Sequence, residues 1–148
     1  MDIERLLRSL NARSVRYVVI GATAFPVHGY ARATLDVDLF IDAERGNAER
    51  VHAALAEFGY DVNDLSVDDL LSKKVLIRQY LLQTDIHPFV KGITFDAVWE
   101  RRVPATIGTT PVDFASLDDL IAMKKAAGRP KDLEDLRVLL ELRARKGP

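Results

Sequence analysis

Tyr17 to Asp42 reads YVVIGATAFPVHGYARATLDVDLFID. An apolar, β-branched run, Tyr17-Val18-Val19-Ile20, stops at Gly21, and a second strand pattern resumes with Asp36 and Asp38. Successive side chains on a strand point to opposite faces, so Asp36 and Asp38 share one face while Val37 and Leu39 take the other. Two carboxylates side by side in a partly buried site repel one another unless a cation neutralises them. Magnesium, which favours carboxylate oxygens together with substrate phosphates and water, suits such a pair. The bland alternative is an edge strand with its acids in solvent, alternating with Val37, Leu39 and Ile41. The glycine turn upstream tips the balance toward the metal.

Working outward, Gly21 permits a tight turn into a short helical stretch over Ala22, Thr23, Ala24 and Phe25. Strand, glycine and helix start together make a phosphate cradle, because free N–H groups and the helix dipole favour an anion there. Upstream, Ile3, Leu6, Leu7 and Leu10 recur at helical spacing and predict an amphipathic helix. Downstream, Val51, Ala54, Leu55 and Phe58 predict a helix over Asn47 to Phe58 that stops at Gly59. Asp61 to Asp69 reads as a loop or short helix. Val75 to Thr84 reads as one strand with Leu76, Arg78, Tyr80 and Leu82 on a common face, followed by Asp85 and a stop at Pro88. If that strand pairs with the Asp36/Asp38 strand, Asp85 lies beside the other acids. Asp85 is therefore preferred over Asp42 as the third carboxylate of a two-metal site.

Thr94 caps a short helix through Phe95, Val98 and Trp99, and Val103 to Val112 suggests a hairpin turning at Gly108. Ser116 with Asp119 resembles a capping box opening a helix that carries Leu117, Leu120, Ile121 and Lys124 on one stripe and closes at Gly128. A lysine on that inward stripe must snorkel to water or meet an anion. Pro130 opens the last helix, whose apolar side is Leu133, Leu136, Leu139 and Leu140. Asp132 and Asp135 read as favouring the positive start of that helix. Lys125 and Lys131 read as solvated, and His28 as a hydrogen-bonded structural residue. Arg32 is a phosphate clamp, a charge-pair anchor for the acidic strand, or a solvated loop arginine.

The 148 residues suffice for one domain spanning 1–148. Apolar residues make up 48% and charged residues 29%, ordinary for a globular chain. A net charge of −1 announces no general basic field, which leaves an RNA partner open. The absence of cysteine excludes disulfides, thiolate metal sites and a cysteine nucleophile. MDIERLLRSL carries no long apolar segment, so the expectation is a cytoplasmic protein without a membrane association.

The strings GATAFPVHGYARATLDVDLFID, TDIHPFVKGITFDAVWERR and SLDDLIAMKKAAGRPKDLEDL resemble the small nucleotidyltransferases of the polymerase-β-like superfamily, in the branch of AbiEii-type toxins and MNT-like proteins. The resemblance runs from Tyr17 to Leu140. It implies an α+β fold, a mixed β-sheet flanked by helices with further helices at the C-terminus. It further implies that Gly21 and Ala22 cradle a nucleoside triphosphate, that Asp36 and Asp38 bind Mg2+, that Asp85 helps to bind the metal or acts as the base that activates the acceptor hydroxyl, and that Lys124 and Arg32 contact phosphates. Position 22 is alanine where these proteins usually carry a second glycine or a serine, which restricts the backbone and removes a hydroxyl. Thr23 is the nearest replacement for that hydroxyl. The implied partners are an NTP with tRNA or a protein hydroxyl as acceptor, or a cognate toxin or antitoxin protein. A binding module of the same fold with its chemistry lost is the alternative.

Overall fold

The computed structural model describes residues 2–147. Six strands form one mixed sheet: β1 (Tyr17–Ile20), β2 (Asp36–Ile41), β3 (Val75–Ile77), β4 (Gln83–His87), β5 (Val103–Ile107) and β6 (Thr110–Phe114), in the spatial order β3-β4-β2-β1-β6-β5. β2 runs antiparallel to β1 and parallel to β4, and β1 runs parallel to β6. The outer pairs, β3 with β4 and β5 with β6, are antiparallel. The α+β class and the helix-flanked mixed sheet expected from the sequence are present, and these helices are α1 (Ile3–Ala12), α2 (Arg45–Phe58), α3 (Val67–Ser72), α4 (Phe95–Glu100), α5 (Leu117–Ala127) and α6 (Leu133–Lys146).

Local signals account for most boundaries. Leu6, Leu7 and Leu10 are fully buried along one stripe of α1. α2 ends on Gly59 at φ +117°, a left-handed cap that disfavours a β-carbon. Ser66 and Asp69 exchange both bonds of a capping box and open α3 within the stretch read as a loop or short helix. Thr94 and Ser116 each accept an N–H from the first turn of α4 and α5. The Asp119 carboxylate does not return to Ser116 as a full capping box requires; it binds Arg101 at 2.7 Å.

Two expectations are corrected. Val75 to Thr84 is not one strand: β3 ends at Ile77, residues 79–82 form bends, and β4 begins at Gln83. The reason lies in long-range bonds. Gln79 exchanges two hydrogen bonds with the Asp61 backbone, at 2.6 and 2.7 Å, and the Tyr80 hydroxyl donates to the Gly59 carbonyl at 2.8 Å. These bonds tie the segment to the end of α2 and turn β3 back antiparallel onto β4. Second, the apolar side of α6 is not uniformly covered. Leu139 is buried, but Leu133 is 65% and Leu140 41% exposed. Pro130 opens a separate 3-10 turn, and α6 starts only at Leu133.

β2 shows why the acidic face is open at one end. Val37, Leu39 and Ile41 are buried on one face as expected. On the other, Phe40 is also buried and meets the Phe95 ring of α4 edge-on at 5.4 Å. The strand is thus covered on both faces near its end and opens toward Asp38 and Asp36 near its start. Phe40→Ala is expected to cost about 3–5 kcal/mol, the range for emptying a buried aromatic site. Urea unfolding would show this as a lower midpoint at an unchanged slope.

Candidate active site

The cleft is built on the junction of β1 and β2. Antiparallel pairing sets Ile20 opposite Asp38, and the chain leaves β1 through Gly21 directly beside that carboxylate. Gly21 adopts φ +69°, and a β-carbon there would lie 2.6 Å from Asp38 Oδ2. Position 21 must therefore be glycine for two reasons, backbone conformation and space. The following Gly21–Ala24 segment is a 3-10 turn without a side-chain cap at its start. Ser14 is the one non-glycine residue with positive φ among the described residues, so Ala22 occupies ordinary backbone that needs no second glycine.

Parallel pairing of β2 with β4 sets Asp38 opposite Asp85 and Phe40 opposite His87. Asp85 and His87 lie two apart on β4 and face the same way. His87 Nε2 donates to Asp38 Oδ1 at 2.9 Å. Asp85, 7% exposed, accepts a hydrogen bond from Arg78 Nη1 at 2.7 Å and has Lys74 Nζ 3.9 Å from its Oδ2. The Asp85 bond is the main cause holding the Arg78 guanidinium above its ordinary pKa, and the charges of Asp85, Asp36 and Asp38 add to it.

A second charged network lines the same cleft. Lys124 Nζ donates to Asp132 Oδ1 at 3.1 Å and lies 3.4 Å from Asp135 Oδ2. Arg129 makes two bonds to Asp132, at 2.7 and 3.1 Å, while Arg32 Nη1 lies 3.3 Å from Asp135 Oδ2 and the Tyr30 hydroxyl donates to Asp135 Oδ1 at 3.0 Å. Lys124 has met an anion, as its place on the stripe required, but the anion belongs to the chain. Asp132 and Asp135 stand at the start of α6, as read from the sequence, and are also buried partners of these cations. Burial pushes the Asp132 carboxyl up, yet bonds from Arg129 and Lys124 outweigh it and hold the group at about 2. That depression supports the fold above the ordinary carboxylate range and is lost as pH falls through about 2.

A single cleft of about 700 Å³ brings together Gly21, Ala22, Arg32, Asp36, Asp38, Asp85 and Lys124. Its volume suits a nucleotide-sized ligand. Thr23 is the residue it leaves out: its hydroxyl donates to the Asp36 carbonyl at 2.8 Å, and the side chain faces a neighbouring, largely apolar groove of about 620 Å³. Thr23 thus steadies the start of β2, and the expected substitute hydroxyl is turned away from the cleft. His28, the structural histidine of the sequence reading, is buried with Nε2 2.8 Å from the Ala115 carbonyl.

The sequence reading missed His87, Arg78 and Lys74. The spacing of Asp85 and His87 carried a signal, since residues two apart on a strand share a face. Arg78 carried none, because its position depends on where β3 ends and on the bends of residues 79–82 that follow. Among the described residues no three His, Asp or Glu side chains form a ready-made cation site. The donor chemistry nevertheless fits magnesium, for Asp36 and Asp38 offer carboxylate oxygens in one cleft and the missing β-carbon of Gly21 leaves Asp38 Oδ2 room.

Among the described residues no helix is long and apolar enough to cross a membrane. A family model described as "Nucleotidyltransferase of unknown function (DUF6036)" matches residues 1–140. No curated protein matches the chain.

Proposed function

The chain belongs to this nucleotidyltransferase family, and from that premise we propose that it transfers a nucleoside monophosphate from an NTP to an acceptor hydroxyl, with Mg2+ as cofactor. The observation that carries the reading is the close approach of Gly21 to Asp38, which leaves a β-carbon-free gap beside a carboxylate at the head of a nucleotide-sized cleft. In the reaction the acceptor oxygen bonds the α-phosphorus, the bond to pyrophosphate breaks, and the hydroxyl proton passes to a base. Magnesium, when bound, neutralises phosphate charge and orients the displacement.

The chain's residues divide the remaining work. Asp36 and Asp38 hold the cation, and His87 fixes the orientation of Asp38 through its bond to Oδ1. Gly21 and Ala22 give the triphosphate close approach to the backbone. Lys124 and Arg32, which line the same cleft, present positive charge to the phosphates, tethered by Asp132 and Asp135. Asp85 completes the acidic group as the third carboxylate.

The acceptor is an RNA such as tRNA, or a protein, in keeping with the resemblance to the AbiEii-type and MNT-like branch and a role in a toxin–antitoxin pair. Incubation with Mg2+, each α-labelled NTP and total RNA or cell protein tests the activity and sorts the acceptor. Magnesium-dependent label on one of these is the expected result. No label on either, from any of the NTPs, would sink the enzymatic reading. Arg78 and Lys74 on Asp85 favour a second reading, a nucleotide-binding module without chemistry. That reading expects NTP to raise the melting temperature without any transfer.

A further inference from the structure

Asp85 occupies the place of a third metal-binding carboxylate, yet both of its oxygens face cations of the chain. Arg78 Nη1 lies 2.7 Å from Oδ1 and Lys74 Nζ 3.9 Å from Oδ2, and the carboxylate is almost wholly buried. A buried carboxylate is held charged only by such partners, and removing one strands the charge at high cost. Arg78 is anchored a second time, through Nη1 to the Ile77 carbonyl at 3.1 Å. Two acceptors thus engage Nη1, and the residue lies just before the bends of residues 79–82. Asp38 differs. His87 engages Oδ1, while Oδ2 faces the gap at Gly21.

The acids of the cleft are thereby sorted into two classes. Asp36 and Asp38 have oxygens available to a diffusible cation, and Asp85 is already neutralised. We infer that Arg78 is a resident cation of this site, standing where a second divalent metal would otherwise bind on Asp85, so that the chain takes up a single divalent cation on Asp36 and Asp38. The inference rests on the magnesium reading given above and refines it. An arginine is suited to the place because it remains charged at every working pH and presents a planar fork to oxygen ligands. Both of its bonds here use Nη1, so the donors on Nε and Nη2 are free of those bonds and are of the kind that binds a phosphate oxygen. The consequence is a site whose metal count is set by the chain's own cations on Asp85, Arg78 first among them.

The test counts metal directly. The full chain is titrated with Mn2+, a stand-in for Mg2+ with the same taste for oxygen ligands, and unbound Mn2+ is read by electron paramagnetic resonance. Wild type is expected to bind one ion per chain. Arg78→Gln, or Arg78→Gln with Lys74→Gln where Lys74 moves in to replace the lost charge, is expected to bind two. Asp85→Asn is expected to stay at one, and circular dichroism checks that each variant is folded. Two ions in wild type would overturn the inference, as would one ion in both the single and the double variant. No binding by any of these proteins would overturn the magnesium reading itself and the inference with it. The ion is expected to be lost in Asp36→Asn/Asp38→Asn, and its persistence in that variant would overturn the inference.

Discussion

Asp38→Asn is expected to lower nucleotide transfer by about a hundredfold to a thousandfold, the scale seen when a group stabilising transition-state charge is removed, while leaving the melting temperature nearly unchanged. The substitution keeps the side-chain volume, and the amide oxygen still accepts the bond that His87 Nε2 donates to Oδ1 at 2.9 Å. What it removes is the negative charge facing Gly21. Asp38 is only partly buried, so losing its charge leaves no buried cation stranded of the sort that makes ion-pair deletions destabilising. Activity and stability should therefore separate. Asp42→Asn is the matched control: Asp42 lies just past the end of β2 and pairs with Arg16 at 2.8 Å. Its transfer rate should stay near that of wild type, because Asp42 does not line the cleft and its partly buried pair with Arg16 serves the fold. Parallel rate assays and thermal melts decide the matter. A comparable rate loss in both variants, or a large melting shift in Asp38→Asn, would show that Asp38 serves the fold and not the chemistry.

Gly21→Ala should lose activity out of proportion to stability, for a different reason. At φ +69° an alanine pays the left-handed penalty of about 1–2 kcal/mol. The new β-carbon would also stand 2.6 Å from Asp38 Oδ2, 3.1 Å from Cγ and 3.3 Å from Cβ. Because the nearest atom is the tip of a side chain, Asp38 can turn aside and the sheet survives. Turning aside takes it from both His87 and the cation. A denaturant midpoint lowered by the equivalent of about 1–2 kcal/mol, a Mg2+ affinity at least about tenfold weaker and a matching fall in transfer are the expected set. Unchanged Mg2+ affinity in a folded Gly21→Ala protein would disprove the role given to this contact.

Much of the fold was legible because its signals are local. The stripe of Leu6, Leu7 and Leu10 placed α1, Gly59 and Gly128 ended α2 and α5, and Thr94 and Ser116 started α4 and α5. Each depends on helical periodicity or on one backbone conformation, both readable within a few residues. The strand expected over Val75 to Thr84 failed because alternation continued through residues that make their bonds elsewhere, Gln79 to Asp61 and Tyr80 to Gly59. Lys124 was legible as a lysine needing an anion, but its anions are Asp132 and Asp135.

By itself, then, the sequence determined the shared face of Asp36 and Asp38, the glycine turn after β1, and the helices that cover the sheet, because strand alternation, left-handed glycine and helical spacing are properties of neighbouring residues. Tertiary structure alone decided the strand register that sets Asp85 beside Asp38, the bond from His87 to Asp38, and the bends that deliver Arg78 to Asp85. These contacts join residues from 7 to 49 positions apart, and their register follows from which strands pair and where the chain between them is tied down, which no local period encodes.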